Sequence, residues 1–587
     1  MGGHRIILTM WSIGILALGL AFALPAVAAK RAAPSPPPAA RCVPPPAATD
    51  HAATKPSATD SDAAPALPAT DEVWTEGSVT AGGTAVDYCA AAGTLVVHPK
   101  DWDDTAQTSD KGDSDDGTKN PTAQASMFYA AYFKRGADAT ARPITFLFNG
   151  GPGSATIWLH MGAFGPWRVD TADATHSAPA PYHLVNNDKS LLDASDLVFI
   201  DAPGTGFSRI AGQDKDKSFY GIDEDAHAFA EFIMSFLSRY KRWNSPKYLF
   251  GESYGTTRAA VVVDMLQNNP GVDFNGVIML SQVLAANLFP DQPKTAPGND
   301  LPYQLALPTY AATAWYHNQP PDQRSTEVPA SLLNEVEHFA MGDYAAALAA
   351  GASLDPATRD TIIAKLHNYT MLPENYLRRA DLRVSVDEFR QELLRDSGLV
   401  IGATDTRFEG HTLDRLSRRA RYDPVDAAIG SAYVSSFNDY VRRVLKYGEG
   451  KTYRVTVDDI SDKWSFAHEP PDLPDSGPSW DQAANVMPDL AHAMKFNPLL
   501  KVQLNSGYFD LITPYFEGVY EMRHLPVPPE LRGNIEYRCY RSGHMVYLSQ
   551  GALARLHDNV ADFILRTSNL SGQGPKRSAS SGCPGAD

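Results

Sequence analysis

The stretch Lys247 to Ala260, KYLFGESYGTTRAA, constrains this chain more than any other. A short β-rich run, KYLF, meets the helical pattern TTRAAVVVDML across five residues, with Ser253 held between Gly251 and Gly255. A strand that turns into a helix this abruptly strains the central residue, and flanking glycines let it project without clashes. The turn therefore requires a sheet whose strands feed helices. Other runs agree: GTLVVHP, ASMFYAAYF, PITFLFN, DLVFID and GVIML are rich in Val, Ile, Phe and Tyr and bounded by turn residues. Helical patterns lie among them, including Asp223 to Tyr240 and Thr257 to Gln267. Strands alternating with helices predict an α/β fold, a mostly parallel central sheet with helices on both faces.

The alternation stops after about Asn287. From there to about Trp480 the pattern is helical, for example at Ala330 to Ala350, Pro356 to Leu366, Val386 to Asp396 and Ser435 to Tyr447. Strand signals resume at LKVQLNSGYFD and NIEYRCYRSGH, and a last helix runs from about Leu548 to Leu565. This pattern predicts a catalytic domain over 71–567, with a largely helical cap inserted at about 290–480 over the C-terminal edge of the sheet, where such folds place their sites. Residues 1–28 read as an export signal: a basic start at His4 and Arg5, an apolar run and the small-x-small Ala26-Val27-Ala28. Residues 29–70 read as a disordered Ala/Pro-rich linker and 568–587 as a disordered Ser/Gly-rich tail.

The net charge of −17 excludes general nucleic-acid binding and gives no reason for a membrane-surface role once the signal is removed. Export permits disulfides among the four cysteines, but the sequence does not choose their pairing. Cys42 and Cys583 lie in the two tails, so pairing with each other and staying free are both open to them. No cysteine has a partner at zinc-site spacing. The acidic run Asp101 to Asn120 lacks the glycine and closing glutamate of a calcium loop and reads as solvated surface. Asn368-Tyr369-Thr370 and Asn569-Leu570-Ser571 match a glycosylation triplet of the kind that often arises by chance.

A serine nucleophile needs a base, and the base needs a carboxylate to orient it. On sheets of this kind the acid and then the histidine follow the serine in chain order, each after a strand. Asp510 ends LKVQLNSGYFD, and His544 ends NIEYRCYRSGH; His524 is the nearest alternative. Acyl transfer also needs donors for a developing oxyanion. One is the N–H of Tyr254, just after the serine. The other is Gly151, in the Gly-rich NGGPG that follows strand PITFLF. No Lys-Ser/Thr pair follows those glycines, which sets aside a phosphate loop.

NGGPG at Asn149 to Gly153, DAPGTGFS at Asp201 to Ser208, GESYG, SGYFD and SGH occur in the order and spacing of the serine carboxypeptidases. The chain resembles that family of α/β-hydrolases, as an exported bacterial-type member, from about Thr75 to Arg566. The resemblance implies an α/β-hydrolase fold and release of C-terminal amino acids from peptides or proteins. It also implies a Ser253–Asp510–His544 triad with an oxyanion hole at Gly151 and Tyr254. Asn149, Gly150 and Glu252 match the residues that bind the substrate's terminal carboxylate. There are two departures: Ser154 stands where the family usually has cysteine. His160 to Pro166, HMGAFGP, replaces a segment in which the family tends to carry a glutamate. A protonated Glu252 can donate to an ionised carboxylate, which predicts an acidic preference. The implied reaction uses neither cofactor nor metal, in the periplasm or outside the cell. The alternatives are an esterase, lipase or aminopeptidase-like enzyme with no use for that acid, and a non-catalytic binding protein on the same fold.

Overall fold

In the computed structural model the described residues are Cys42, 70–100, Trp102, 120–290, 296–471, 484–570 and 582–583. The export signal, nearly all of the linker and tail, and all of the acidic run but Trp102 and Asn120 lie outside them.

Short apolar runs become the middle of one sheet. Its strands are β1 (Glu72–Ala81), β2 (Thr84–Val97), β3 (Gln124–Lys134) and β4 (Ile144–Phe148). A small antiparallel ribbon, β5 (Trp167–Val169) with β6 (Leu184–Asn186), stands apart from it. The sheet continues with β7 (Asp196–Ile200), β8 (Arg209–Ala211), β9 (Lys247–Glu252) and β10 (Gly276–Leu280). After a two-stranded ribbon, β11 (Leu399–Ile401) and β12 (Glu409–His411), it is completed by β13 (Lys501–Gly507) and β14 (Ile535–Tyr540). The order is β1-β2-β3-β7-β4-β9-β10-β13-β14, with β8 paired to β3. From β7 to β14 every neighbour is parallel, and β1, β2 and β3 are antiparallel. β4, β7, β9 and β10 are buried along their whole length, as strands covered on both faces must be.

Helices Ile222–Arg239, Tyr254–Asn268 and Met487–Phe496 pack one face; helix Gln550–Thr567, with part of helix Pro424–Arg443, packs the other. This is the α/β architecture that the strand–helix alternation predicts, in the α/β-hydrolase arrangement that the resemblance implies. No helix among the described residues is long and apolar enough to cross a membrane.

Between β10 and β13 the chain is mainly helical, and Tyr303 to Phe389 supply most of an apolar cluster of its own. Helix Leu301–His317 lies in the stretch read as helical and runs on with Pro308 inside it. The helix read as Ser435 to Tyr447 starts earlier, at Pro424, where the Asp423 side chain caps the Val425 N–H, and it ends at Arg443. β1 is missed; its residues are largely half-exposed, and its Glu, Gly and Ser mask the alternation.

The structure makes the choice of cysteine pairing that the sequence left open. Cys42 is bonded to Cys89 on β2, and Cys583 to Cys539 on β14. Both tail cysteines are thus fastened to opposite edges of the sheet, neither free nor joined to each other. Hydrogen bonds hold them there: Cys42 N–H donates to the Glu76 carboxylate and Gly582 N–H to the Tyr537 carbonyl.

Candidate active site

Ser253 is the single residue between β9 and the following helix, with φ 61° and ψ −133°. Backbone strain of this kind costs about 1–3 kcal/mol and persists only where neighbours over-determine it. They do so here. The Ser253 N–H donates to the Leu280 carbonyl at 3.0 Å, and its carbonyl accepts from the Thr256 N–H at 2.8 Å. A Cβ on Gly251 would lie 2.2 Å from the Gly255 carbonyl oxygen, so the turn closes only with glycine there.

The NGGPG loop is seated on this turn. A Cβ on Gly150 would fall 2.5 Å from the Tyr254 nitrogen, so only glycine allows loop and helix start to meet. Gly151 is exposed at the tip with φ 110°. Arg258, one turn into the serine's helix and fully buried, donates to the Asn149 carbonyl at 2.7 Å and to both oxygens of Asp225. Residues 453–461 strap the other side: Val457 N–H donates to the Gly153 carbonyl at 3.0 Å and Ser461 Oγ to the Pro152 carbonyl at 2.6 Å. Asp201, from DAPGTGFS, accepts from Thr156 N–H at 2.8 Å and from the Tyr453 hydroxyl at 3.1 Å. Burial pushes its carboxyl up to about 6.

Asp510 and His544 leave the C-terminal ends of adjacent strands β13 and β14. The Nδ1 of His544 lies 2.8 Å from Asp510 Oδ2, an orientation that leaves Nε2 as the acceptor when the ring is neutral. Asp510 is fully buried and accepts from Ile512 N–H, Thr513 N–H and Thr513 Oγ1 at 2.7–3.0 Å. Burial pulls the His544 imidazolium down, but Asp510, with Glu252 and Asp423, holds its pKa above the ordinary value. The backbone of His544 is anchored on both sides. Its N–H donates to the Thr404 carbonyl at 2.6 Å, and its carbonyl accepts from Ser281 Oγ at 2.7 Å. His524 sits exposed at the end of helix Tyr515–Arg523, bonded to the Tyr520 carbonyl.

Glu252 is 2% exposed, next to the serine but turned into the protein. Burial raises its pKa to about 7, against the opposing pull of His544 and hydrogen bonds from Tyr547 and Asn149. Asn149 is oriented by its own Oδ1, which accepts from Leu159 N–H at 3.1 Å. At the two family departures, Ser154 Oγ accepts from the Trp158 indole at 3.2 Å. His160 to Phe164 form a buried π-helical turn in which His160 bonds the Tyr132 hydroxyl and burial drops its pKa to about 3. The structure thus gathers Asn149, Gly150, Glu252 and Tyr254 around the serine turn and joins Asp510 to His544 along the same sheet edge. Sequence reasoning missed Tyr547, Arg258 and the Thr404 carbonyl; an arginine within the apolar run TTRAAVVV was a signal for the second.

A family model described as serine carboxypeptidase matches residues 115–287. Pheromone-processing carboxypeptidase KEX1 of Cryptococcus gattii is 26% identical over 233 residues, 38% of this chain and 32% of that protein. P-(S)-hydroxymandelonitrile lyase of Sorghum bicolor is 28% identical over 149 residues, 25% of this chain and 28% of that protein. The chain thus aligns with about a third of the length of these curated relatives. Among solved structures, the prohormone-processing carboxypeptidase KEX1(delta)p of Saccharomyces cerevisiae matches with a TM-score of 0.42 and 15% identity, over 81% of this chain and 91% of that one. The family-model match spans both the NGGPG loop and the GESYG turn, the two segments in which the chain is most similar to the serine carboxypeptidases.

Proposed function

We propose that this chain is an exported serine carboxypeptidase that removes single amino acids from peptide C-termini, with best binding in acid. Ser253 attacks the last peptide carbonyl while His544 takes its proton and then gives it to the leaving amino acid. Asp510 holds the imidazole, and the N–H groups of Gly151 and Tyr254 receive the oxyanion. Water resolves the acyl-enzyme by the same route. Residues 1–28 act as the export signal, and the helical insert of about 290–480 caps the site.

The observation that supports this reading is the buried Glu252 carboxyl beside the serine, with Asn149 against it and a pKa near 7. A carboxylate there would repel the oxyanion and the terminal carboxylate alike. A carboxylic acid donates a hydrogen bond to the latter. Below about pH 7 Glu252 is neutral and donates; above it the site loses the donor and gains a repelling charge.

The test uses a blocked dipeptide and its C-terminal amide. The free acid should be turned over far better at pH 5, and its KM should rise through pH 7. Equal turnover of acid and amide, or a KM flat from pH 4 to 8, would remove this role from Glu252 and favour an esterase-type enzyme.

A further inference from the structure

Glu252 is bonded by a phenol that no sequence motif announces. The Tyr547 hydroxyl lies 3.1 and 3.0 Å from its two carboxyl oxygens. Tyr547 comes from the short turn just after His544 and is 2% exposed. Its position is fixed by packing. A Cβ on Gly162 would meet the Tyr547 ring at 2.7 Å and the Tyr433 hydroxyl at 2.4 Å, so the π-helical turn closes against both phenols. This is the segment where the family pattern leads one to look for a carboxyl group, and it has none.

The other groups that act on Glu252 come from separate elements: Asn149 after β4, Asp510 after β13, His544 after β14 and Tyr433 on helix Pro424–Arg443, which Arg168 of β5 influences in turn. Asn149 acts on both Tyr547 and Glu252 in the sense of a donor, favouring the ionised form of each. An amide N–H can only donate, so the phenol's one proton goes to Glu252. Both groups therefore present donors to Glu252.

We infer that Tyr547 is a positioning residue that aims the Glu252 proton. With the phenol O–H given to Glu252 and Asn149 acting on both groups as a donor, the acid proton of Glu252 faces donors on that side. It is turned outward, toward the carboxylate of a bound peptide. This rests on Glu252 acting as the carboxylate donor, as proposed above. The phenol has a second effect. It favours the ionised form of Glu252 and so lowers the pH at which carboxylate recognition is lost.

The measurement is the ratio of kcat/KM for a blocked dipeptide to that for its C-terminal amide, from pH 4 to 8. It is compared in wild type, Tyr547→Phe and Glu252→Gln, with each rate expressed per Ser253 labelled by a fluorophosphonate. Labelling counts folded sites, so a loss of folded protein does not pass for a loss of recognition. Tyr547→Phe should cut the ratio at pH 5 roughly tenfold, the worth of one hydrogen bond, mainly through KM. The pH at which the ratio collapses should move upward, because ionised Glu252 has lost a donor. If Glu252→Gln, a permanently neutral donor, flattens the pH limb while Tyr547→Phe keeps both the wild-type ratio and its pH limb, the positioning role is overturned and the donor role of Glu252 stands. If Glu252→Gln still shows the wild-type fall of the ratio through pH 7, both fall.

Discussion

Replacing Glu521 with glutamine isolates the electrostatic cost of burying a carboxylate behind the triad. Glu521 is fully buried on helix Tyr515–Arg523. Its Oε1 accepts from the N–H groups of Leu284 and Ala285 at 3.0 and 2.7 Å, and its Oε2 from Gln282 Nε2 at 2.8 Å. Even so, burial raises its pKa from 4.5 to about 7. That displacement corresponds to about 3 kcal/mol of folding free energy. Folding raises this pKa, so the folded state takes up a proton as pH falls. The stabilisation is complete below about pH 4.5 and is lost as pH rises through about 7. Glutamine stays neutral and keeps the acceptor for both N–H groups. A flip of Gln282 presents its Oε1, which has no partner in the wild-type structure, to the new amide. The variant should therefore match wild type within about 1 kcal/mol at pH 4.5 and exceed it by up to about 3 kcal/mol at pH 8. Its neighbour Glu517, raised by burial and then by Glu521 and Asp510, relaxes in the same direction. Equilibrium unfolding in urea at the two pH values measures this. The reasoning fails if Glu521→Gln is the less stable protein at pH 8, or if the gap between the two proteins does not change with pH.

Two further outcomes follow from the site. Asp510→Asn should keep the fold but lower kcat by about 10⁴, because an amide stabilises neither the Nδ1–H tautomer nor the imidazolium; steady-state rates with active-site titration measure it. Arg258→Met should lower unfolding stability by roughly 3–5 kcal/mol, since it strands Asp225 in the core. Releasing the Asn149 carbonyl should also raise KM for free-acid substrates, which urea melts and kinetics read separately.

Most of the sheet was legible because its strands are buried on both faces, and such strands announce themselves as unbroken apolar runs such as ITFLF and GVIML. The same logic hid β1, half-exposed and mixed in composition. Ser253, Asp510 and His544 could be singled out as candidates because each follows a strand-like run, and the turns after those runs carry glycines or acids in order. Tyr547 was not, because its meaning lies wholly in where Glu252 sits across the fold. The disulfides were hidden for a related reason: pairing depends on which sheet edge each tail runs beside.

The hold that residues 403–406 exert on the two triad turns bears on how such a chain could diversify. Thr404 receives the His544 N–H, Asp405 the Gly543 N–H, Ala403 the Leu511 N–H, and Thr406 gives its own N–H to Phe509. The segment between β10 and β13 is thus part of the scaffold that holds Asp510 and His544. It cannot be exchanged as a cassette for another specificity module without carrying these four anchor points along. Variation in substrate choice should accumulate among its outer helices, while the Gly402–Arg407 turn stays tied to the chemistry.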